Sequence, residues 1–315
     1  MWVDNWKQLS VVDMKEGRFM VNRIPKSTML TNKLSLLTNL QRYERVSLSC
    51  TVNNQLALWL YEFVPETYRL DDQIDRKIFL DAFKDGDIWI CKPAAMNRGK
   101  GIYLVRDVKQ MRETLAARDE RKKHRSTCPV TDDHIIQRYI MNPLLLDWRK
   151  FDIRAYMLVA SMAPYLVLYH EGYARLCLLE YDCHERNLMA HLTNQFVQRQ
   201  SCAYVSGKEN TVWSMDRLND YINLQVAPHK NLEHDWVFNG LTKRMKQIML
   251  QCFQAVRNHF VSKIGFFELY GFDFLVDSEM NVSDRRSSGS QLICSWGGGG
   301  GREDGQESTH VLTPT

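Results

Sequence analysis

The sequence predicts a mixed α/β fold of the α+β kind, and three stretches carry that prediction. Asp87–Lys92 and Gly101–Val105 read as two short strands joined by a turn. Phe151–Ala160 alternates between apolar and polar positions, the pattern of a strand with one buried face. Met245, Ile248, Met249, Cys252, Phe253, Val256 and Phe260 recur at the helical period, which makes one long amphipathic helix to cover that sheet.

In chain order, Val21–Phe83 reads as short helices and connectors. Leu30–Leu34 opens a helical stretch and Phe63–Tyr68 is an extended link through Pro65; no chemistry is visible there. The strand at Asp87 ends on Lys92-Pro93, and the turn before the next strand holds Arg98-Gly99-Lys100. Val108–Arg125 is predicted helical and runs into the basic segment Arg121–Arg125, a solvated loop or an anion-attracting rim. His134–Ile140 is a strand. Along Phe151–Ala160, Phe151, Ile153, Ala155, Met157 and Val159 share one face, so Lys150, Asp152 and Arg154 share the other. Tyr165–Tyr169 returns antiparallel, with Gly172 and Arg175 at the far end of the ribbon, and Phe266–Val276 is an apolar strand interrupted by Gly271 and Asp273. From Ser283 onward the composition changes to glycine-rich, with Gly297–Gly301 unbroken, and a disordered tail is expected.

Composition excludes several classes. With 44% hydrophobic and 25% charged residues over 315 positions, neither a fibrous nor a wholly disordered chain is expected. A balance of 41 Lys+Arg against 37 Asp+Glu is too even to argue for nucleic acid or a membrane surface, so neither is expected as a partner. The longest nearly apolar run, Tyr156–Tyr169, is broken by Pro164 and falls short of the ~20 residues that span a bilayer. Met1–Lys7 has no basic segment leading into an apolar one, and a cytosolic or cytoskeletal location is expected. Eight cysteines without a C-x-x-C pair read as reduced thiols. Cys177, Cys183, His184 and His191 match no usual zinc spacing.

Two groups of residues could carry chemistry. Phosphates are neutralised by cations and backbone N–H groups where glycine permits close approach, and Lys92 with Arg98-Gly99-Lys100-Gly101 meets that need. The segment lacks the order of a P-loop, and no G-x-G-x-x-G is present, so by itself it is as well explained by a basic surface turn. Lys150, Asp152 and Arg154 sharpen the case, because ionisable groups on one strand face are costly to bury without partners. They call for water, a polyanion or a structural row of ion pairs. Asp273, inside an apolar strand, needs a cation: magnesium or a basic side chain.

Seven strings then occur in a familiar order: Lys92-Pro93-Ala94 with Arg98-Gly99-Lys100-Gly101-Ile102; Gln137-Arg138-Tyr139-Ile140; Asn142-Pro143-Leu144-Leu145; Lys150-Phe151-Asp152-Ile153-Arg154; Gly172-Tyr173-Ala174-Arg175; His191-Leu192-Thr193-Asn194; and Gly271-Phe272-Asp273. In these strings the chain resembles the tubulin tyrosine ligase-like family, from about Val21 to Asp277, and in Gln195-Phe196, Thr211-Val212-Trp213-Ser214-Met215 and Asp235-Trp236-Val237-Phe238 it is most similar to the polyglycylase branch. The resemblance implies an ATP-grasp-like fold with the nucleotide between two β-rich lobes and a small N-terminal lobe. On that reading 1–84 is the N-terminal lobe, 85–140 the central lobe, 141–282 the C-terminal lobe and 283–315 the tail. It also implies ATP and Mg2+ as cofactors, with tubulin or similar acidic proteins as substrate and glycine, or glutamate, as co-substrate. The implied reaction activates a carboxylate as an acyl-phosphate that an amine then attacks, in the cytoplasm on the cytoskeleton, including the ciliary axoneme.

By matching position, the resemblance assigns ATP binding to Lys92, Arg98, Gly99, Lys100, Gly101, Gln137, Arg138, Tyr139, Ile140, Lys150, Asp152, Thr193 and Asn194. Arg154 and Arg175 would be catalytic at the reacting end of the triphosphate, and Asp273 would hold the metal. One departure stands out. The family pattern follows Gly-Phe-Asp with a second strand carrying a Glu and an Asn for the same metal, and nothing after Asn281 matches it. Glu279 copies the letter only six positions beyond Asp273, about half the family gap and too short for both carboxylates to reach one ion. Weakened catalysis and an exposed strand edge beside Phe266–Val276 are therefore expected.

Overall fold

Phe151, Ile153, Ala155, Met157 and Val159 are fully or almost fully buried and form the inner face of the longest strand, which organises the molecule. The computed structural model describes residues 20–49, 58–96, 99–124, 133–202 and 204–280, together with two short paired segments at 295–296 and 310–311.

Among the described residues, eleven strands form two antiparallel sheets. In chain order they are β1 (Thr67–Arg69), β2 (Trp89–Pro93), β3 (Tyr103–Val105), β4 (His134–Arg138), β5 (Leu145–Leu146), β6 (Arg149–Met162), β7 (Tyr165–Leu176), β8 (Val212–Ser214), β9 (Glu268–Phe274), β10 (Ser295–Trp296) and β11 (His310–Val311). The first sheet has the order β1-β4-β2-β3, and the second runs β10-β9-β6-β7-β11, with β5 on β6 and β8 on β7.

The β2–β3 hairpin forms as its sequence requires, with Gly99 and Gly101 at φ +75° and +69° in the turn, a conformation glycine adopts without strain. Helices Gln73–Ala82 and Val108–His124 cover the small sheet and enclose Phe79, Trp89, Val105, Met111, Leu115 and Ile136. Asp72 caps the first of these by accepting from the Ile74 and Asp75 amides. The apolar stripe predicted from Met245 lies on helix Thr242–Val256, where Met245, Ile248, Met249, Cys252, Phe253 and Val256 pack against the large sheet. Helix Lys33–Ser49 lies alongside it, with Leu36 and Leu40 in the same core.

Two outcomes differ from the sequence reading. The edge of β9 is paired with β10, Ser295 opposite Asp273 and Trp296 opposite Phe272. The tail also returns at β11 to pair with β7, and its remaining residues lie outside the described ones. The segment between Leu178 and Leu241 carries short helical turns that no periodicity announced.

Candidate functional site: a cleft between the sheets

A cleft of about 810 Å³, open mouth included, lies between the two sheets, with Lys92 and Gln137 from the small sheet and Lys150 and Asp152 from the large one. It also takes in Gly99, Arg138, Tyr139, Ile140, Thr193 and Asn194, so the structure brings ten of the sequence-assigned positions together. Ile90, Ile102, Leu192 and Phe274 add an apolar wall, the mixture expected for a ligand with a flat apolar part and a charged part.

The charges in the cleft are arranged for an anion. Lys92 and Lys150 are buried, and among the described residues each donates to a neutral partner: Lys92 Nζ to Gln137 Oε1 at 2.8 Å, and Lys150 Nζ to the Tyr139 hydroxyl at 2.8 Å. Lys150 also stands 4.3 Å from the centroid of the Tyr139 ring. Burial lowers the ammonium of Lys92 to about 7, with Lys33 and Lys150 repelling it further, and burial lowers Lys150 to about 8. Asp273 and Asp152 attract Lys92 and Lys150 respectively without bonding them among the described residues, so burial of the two cations remains a cost that an incoming polyanion would lower.

Asp152, Arg154, Arg175 and Asp273 form the floor, and β-sheet register explains their pairing. Asp152 on β6 faces Arg175 on β7, and Arg154 on β6 faces Asp273 on β9. Arg175 binds both oxygens of Asp152 and reaches Asp273 Oδ1 at 2.8 Å; Arg154 closes on both oxygens of Asp273. The charge row Lys150, Asp152, Arg154 is thus neutralised across strands rather than along one. Burial by itself would lower Arg175, but the two carboxylates outweigh it and hold the guanidinium above its ordinary value. Thr193 completes the set, its hydroxyl donating to Asp152 Oδ2 at 2.6 Å. Glycine makes the arrangement possible: a Cβ at Gly271 would lie 2.7 Å from Arg154 Nη1, and one at Gly172 would lie 1.8 Å from the Arg154 carbonyl oxygen.

Some assigned residues stand elsewhere. Lys100 does not line the cleft; it is exposed, with its ammonium 5.5 Å from the centroid of Phe196, and the turn leans on the helix Gln195–Gln198 through Gly99 and Val197. Gly101 packs on Pro93. Arg138 borders the cleft, but its guanidinium is paired with Glu66 and Asp87 and stacked on Trp89, and its backbone N–H donates to the Glu66 carbonyl at 2.8 Å. Arg98 lies outside the described residues.

The donor set does not make a magnesium cage. Both oxygens of Asp273 are bound by guanidinium groups, and among the described residues no three His, Cys, Asp or Glu side chains are grouped to hold a metal. A metal on Asp273 would have to displace arginine first.

Sequence reading missed two residues of the site. Lys33 lies in the cleft wall, donates to the Met96 carbonyl at 2.8 Å and is lowered to about 8 by burial. The signal was present: Asn32 caps the helix through the Leu34 and Ser35 amides, and a cation in the first turn opposes the helix dipole unless something else needs it. His191 is the other, named in the family string but given no role there; it lines the cleft, buried beside Tyr139 and bonded to its hydroxyl.

A sequence model of the tubulin-tyrosine ligase family matches residues 12–283. The chain is 40% identical over 314 residues to a protein polyglycylase TTLL10 of Macaca fascicularis, covering 89% of this chain and 51% of that one. It is 38% identical over 314 residues to an inactive polyglycylase TTLL10 of Homo sapiens, covering 89% and 47%. A probable alpha-tubulin polyglutamylase Ttll1 of Tetrahymena thermophila is 28% identical over 292 residues, covering 88% and 68%. The chain thus spans about half the length of the two polyglycylase relatives.

Proposed function

The chain belongs to the tubulin-tyrosine ligase family, and from that premise we propose that it is an ATP-dependent protein–glycine ligase. Its substrates are glutamate side chains, or glycine chains already begun, on tubulin and similar acidic proteins of the cytoskeleton, including the axoneme of cilia. The observation that carries the nucleotide part is the pair of buried lysines, Lys92 and Lys150, facing one cleft with no acid bound to either among the described residues. The glycine part rests on likeness to the polyglycylases.

The residues divide the work by charge. Lys92, Lys150 and Lys33 hold phosphate oxygens, while the backbone from Gln137 to Ile140, with Ile90, Ile102 and Leu192, receives the flat base. When bound, ATP supplies the phosphoryl group that activates a carboxylate for attack by an amine. Two anions have to approach in that step, and Arg154 and Arg175 stand behind Asp152 and Asp273 as the cations able to screen them. Thr193 keeps Asp152 aligned on Arg175. No part is assigned to magnesium, because Asp273 is occupied by arginine.

That same occupation favours a second reading, a chain that binds nucleotide and partner but turns over little. Arg154 and Arg175 are spent on carboxylates rather than presented to the cleft, and one similar polyglycylase is itself named inactive. A glutamate ligase is a third reading, supported by the polyglutamylase relative.

Calorimetry with ATP tests the site, and transfer of radiolabelled glycine or glutamate to tubulin tests the chemistry. ATP uptake that is weakened at least about tenfold but still measurable in Lys150→Met, with glycine incorporated by the parent, supports the ligase. Uptake without transfer of either amino acid selects the second reading, and no uptake overturns the nucleotide site.

A further inference from the structure

His191 is buried in the wall of the cleft beside Tyr139 and belongs to no ion pair among the described residues. Its two ring nitrogens have different partners. Nε2 lies 2.8 Å from the Glu185 carbonyl oxygen, and Nδ1 lies 2.7 Å from the Tyr139 hydroxyl. A carbonyl can only accept, so the ring hydrogen is on Nε2 and Nδ1 presents a bare lone pair. Tyr139 donates to this lone pair, the Tyr181 hydroxyl beside it being a second partner that gives its own proton to the Met141 carbonyl, and the phenol oxygen accepts from Lys150 Nζ at 2.8 Å. Donation runs one way, from Lys150 through Tyr139 and His191 to the Glu185 carbonyl.

The surroundings hold this direction. Arg106 Nη2 also donates to the Glu185 carbonyl, at 2.8 Å, and anchors the loop on which that acceptor stands. Tyr181 closes the other side of the imidazole, ring centroids 5.8 Å apart, and its own hydroxyl donates to the Met141 carbonyl at 2.9 Å. Burial, with Lys150 and Arg106 nearby, lowers the imidazole below its ordinary value and favours the neutral ring this direction requires.

We infer that His191 is a positioning residue for nucleotide recognition: by taking the Tyr139 proton it turns the phenol oxygen toward Lys150 and aims that ammonium into the cleft. The inference rests on the nucleotide reading above. It assigns His191 a task beyond filling the small apolar cluster of Ile88, Ile90, Tyr139 and Leu192.

The experiment is ATP titration calorimetry on the full chain and its variants, with thermal melting of each. His191→Phe fills the space without an acceptor, and Tyr139→Phe removes only the relaying hydroxyl. Each should weaken ATP binding roughly five- to tenfold. His191→Asn places an amide oxygen where Nδ1 stands and should recover most of that loss. In a Lys150→Met background, His191→Phe and Tyr139→Phe should have no further effect, because the residue they position is gone.

A purely structural histidine predicts instead that His191→Phe weakens binding equally in both backgrounds, or leaves it unchanged in the parent; either result overturns the inference. Should His191→Phe fail to fold, Tyr139→Phe carries the same comparison, and equal losses in both backgrounds overturn it again. ATP uptake by the parent with an unaffected Tyr139→Phe removes this inference alone. No uptake by a folded parent removes it together with the nucleotide site.

Discussion

Arg154 on β6 stands directly opposite Asp273 on β9, and its guanidinium bonds both oxygens of that carboxylate in a buried setting. Arg175 contacts the same carboxylate from β7, so one aspartate holds two cations from two different strands. Removing its charge by Asp273→Asn leaves both arginines undercompensated. A loss of about 3–5 kcal/mol in unfolding free energy is expected, measured by chemical denaturation. A change below about 1 kcal/mol would show that water already shields the group.

The buried lysines make the opposite prediction. Lys150→Met should raise stability by about 1–3 kcal/mol while weakening ATP binding at least about tenfold, since a cation kept without a bonded acid is there for a ligand. Melting and calorimetry on one preparation give both signs. Lower stability together with unchanged affinity would contradict the assignment.

Acidity should separate the free and bound states. Lys92 and Lys150 titrate at about 7 and about 8 in the fold, against ~10.4 for an unfolded lysine. Between those values the unfolded chain binds more protons, so the ligand-free protein should gain stability as pH rises from about 7 toward 10. Nucleotide affinity should fall over the lower part of that window as the ammoniums discharge. Melting temperatures and ATP titrations at pH 7 and pH 9 report the two trends, and parallel trends would be inconsistent with lysine as their source.

Gly271→Ala tests the close approach to Arg154. The added methyl meets Nη1 at 2.7 Å and must push the guanidinium off Asp273. A stability loss of about 1–3 kcal/mol is expected from overpacking. Gly172→Ala, whose methyl meets backbone, should be worse because a carbonyl cannot swing aside as a side chain can. Equal effects would place the cost in strand propensity instead.

Trp148 ends the tight turn between β5 and β6 at φ +61°, after Asp147 at +49°, and is 76% exposed. A hairpin turn with two positive φ angles favours glycine at its second position. Trp148→Gly should therefore stabilise the chain by about 1 kcal/mol. Denaturation would show it, and a destabilised variant would mean that the indole packs where its exposure denies it.

Much of this site was legible as sequence. The alternation that buries Phe151, Ile153, Ala155, Met157 and Val159 also dictates that Lys150, Asp152 and Arg154 share the other face, because side chains along a strand alternate whatever surrounds them. The stripe on Thr242–Val256 is equally local in origin, as is the glycine turn after β2. Partner choice was not local. Lys150-Asp152-Arg154 is self-complementary as a string, yet Asp152 pairs with Arg175 and Arg154 with Asp273, because a ladder places residues 23 and 119 positions apart closer than neighbours on one strand face. Lys33 reached the cleft, and Lys100 left it for Phe196, only once the helices and the glycine turn were docked. Period and composition set which residues must be buried or exposed; the register between strands and the docking of loops decided which charges meet, since those contacts depend on distances no single segment contains.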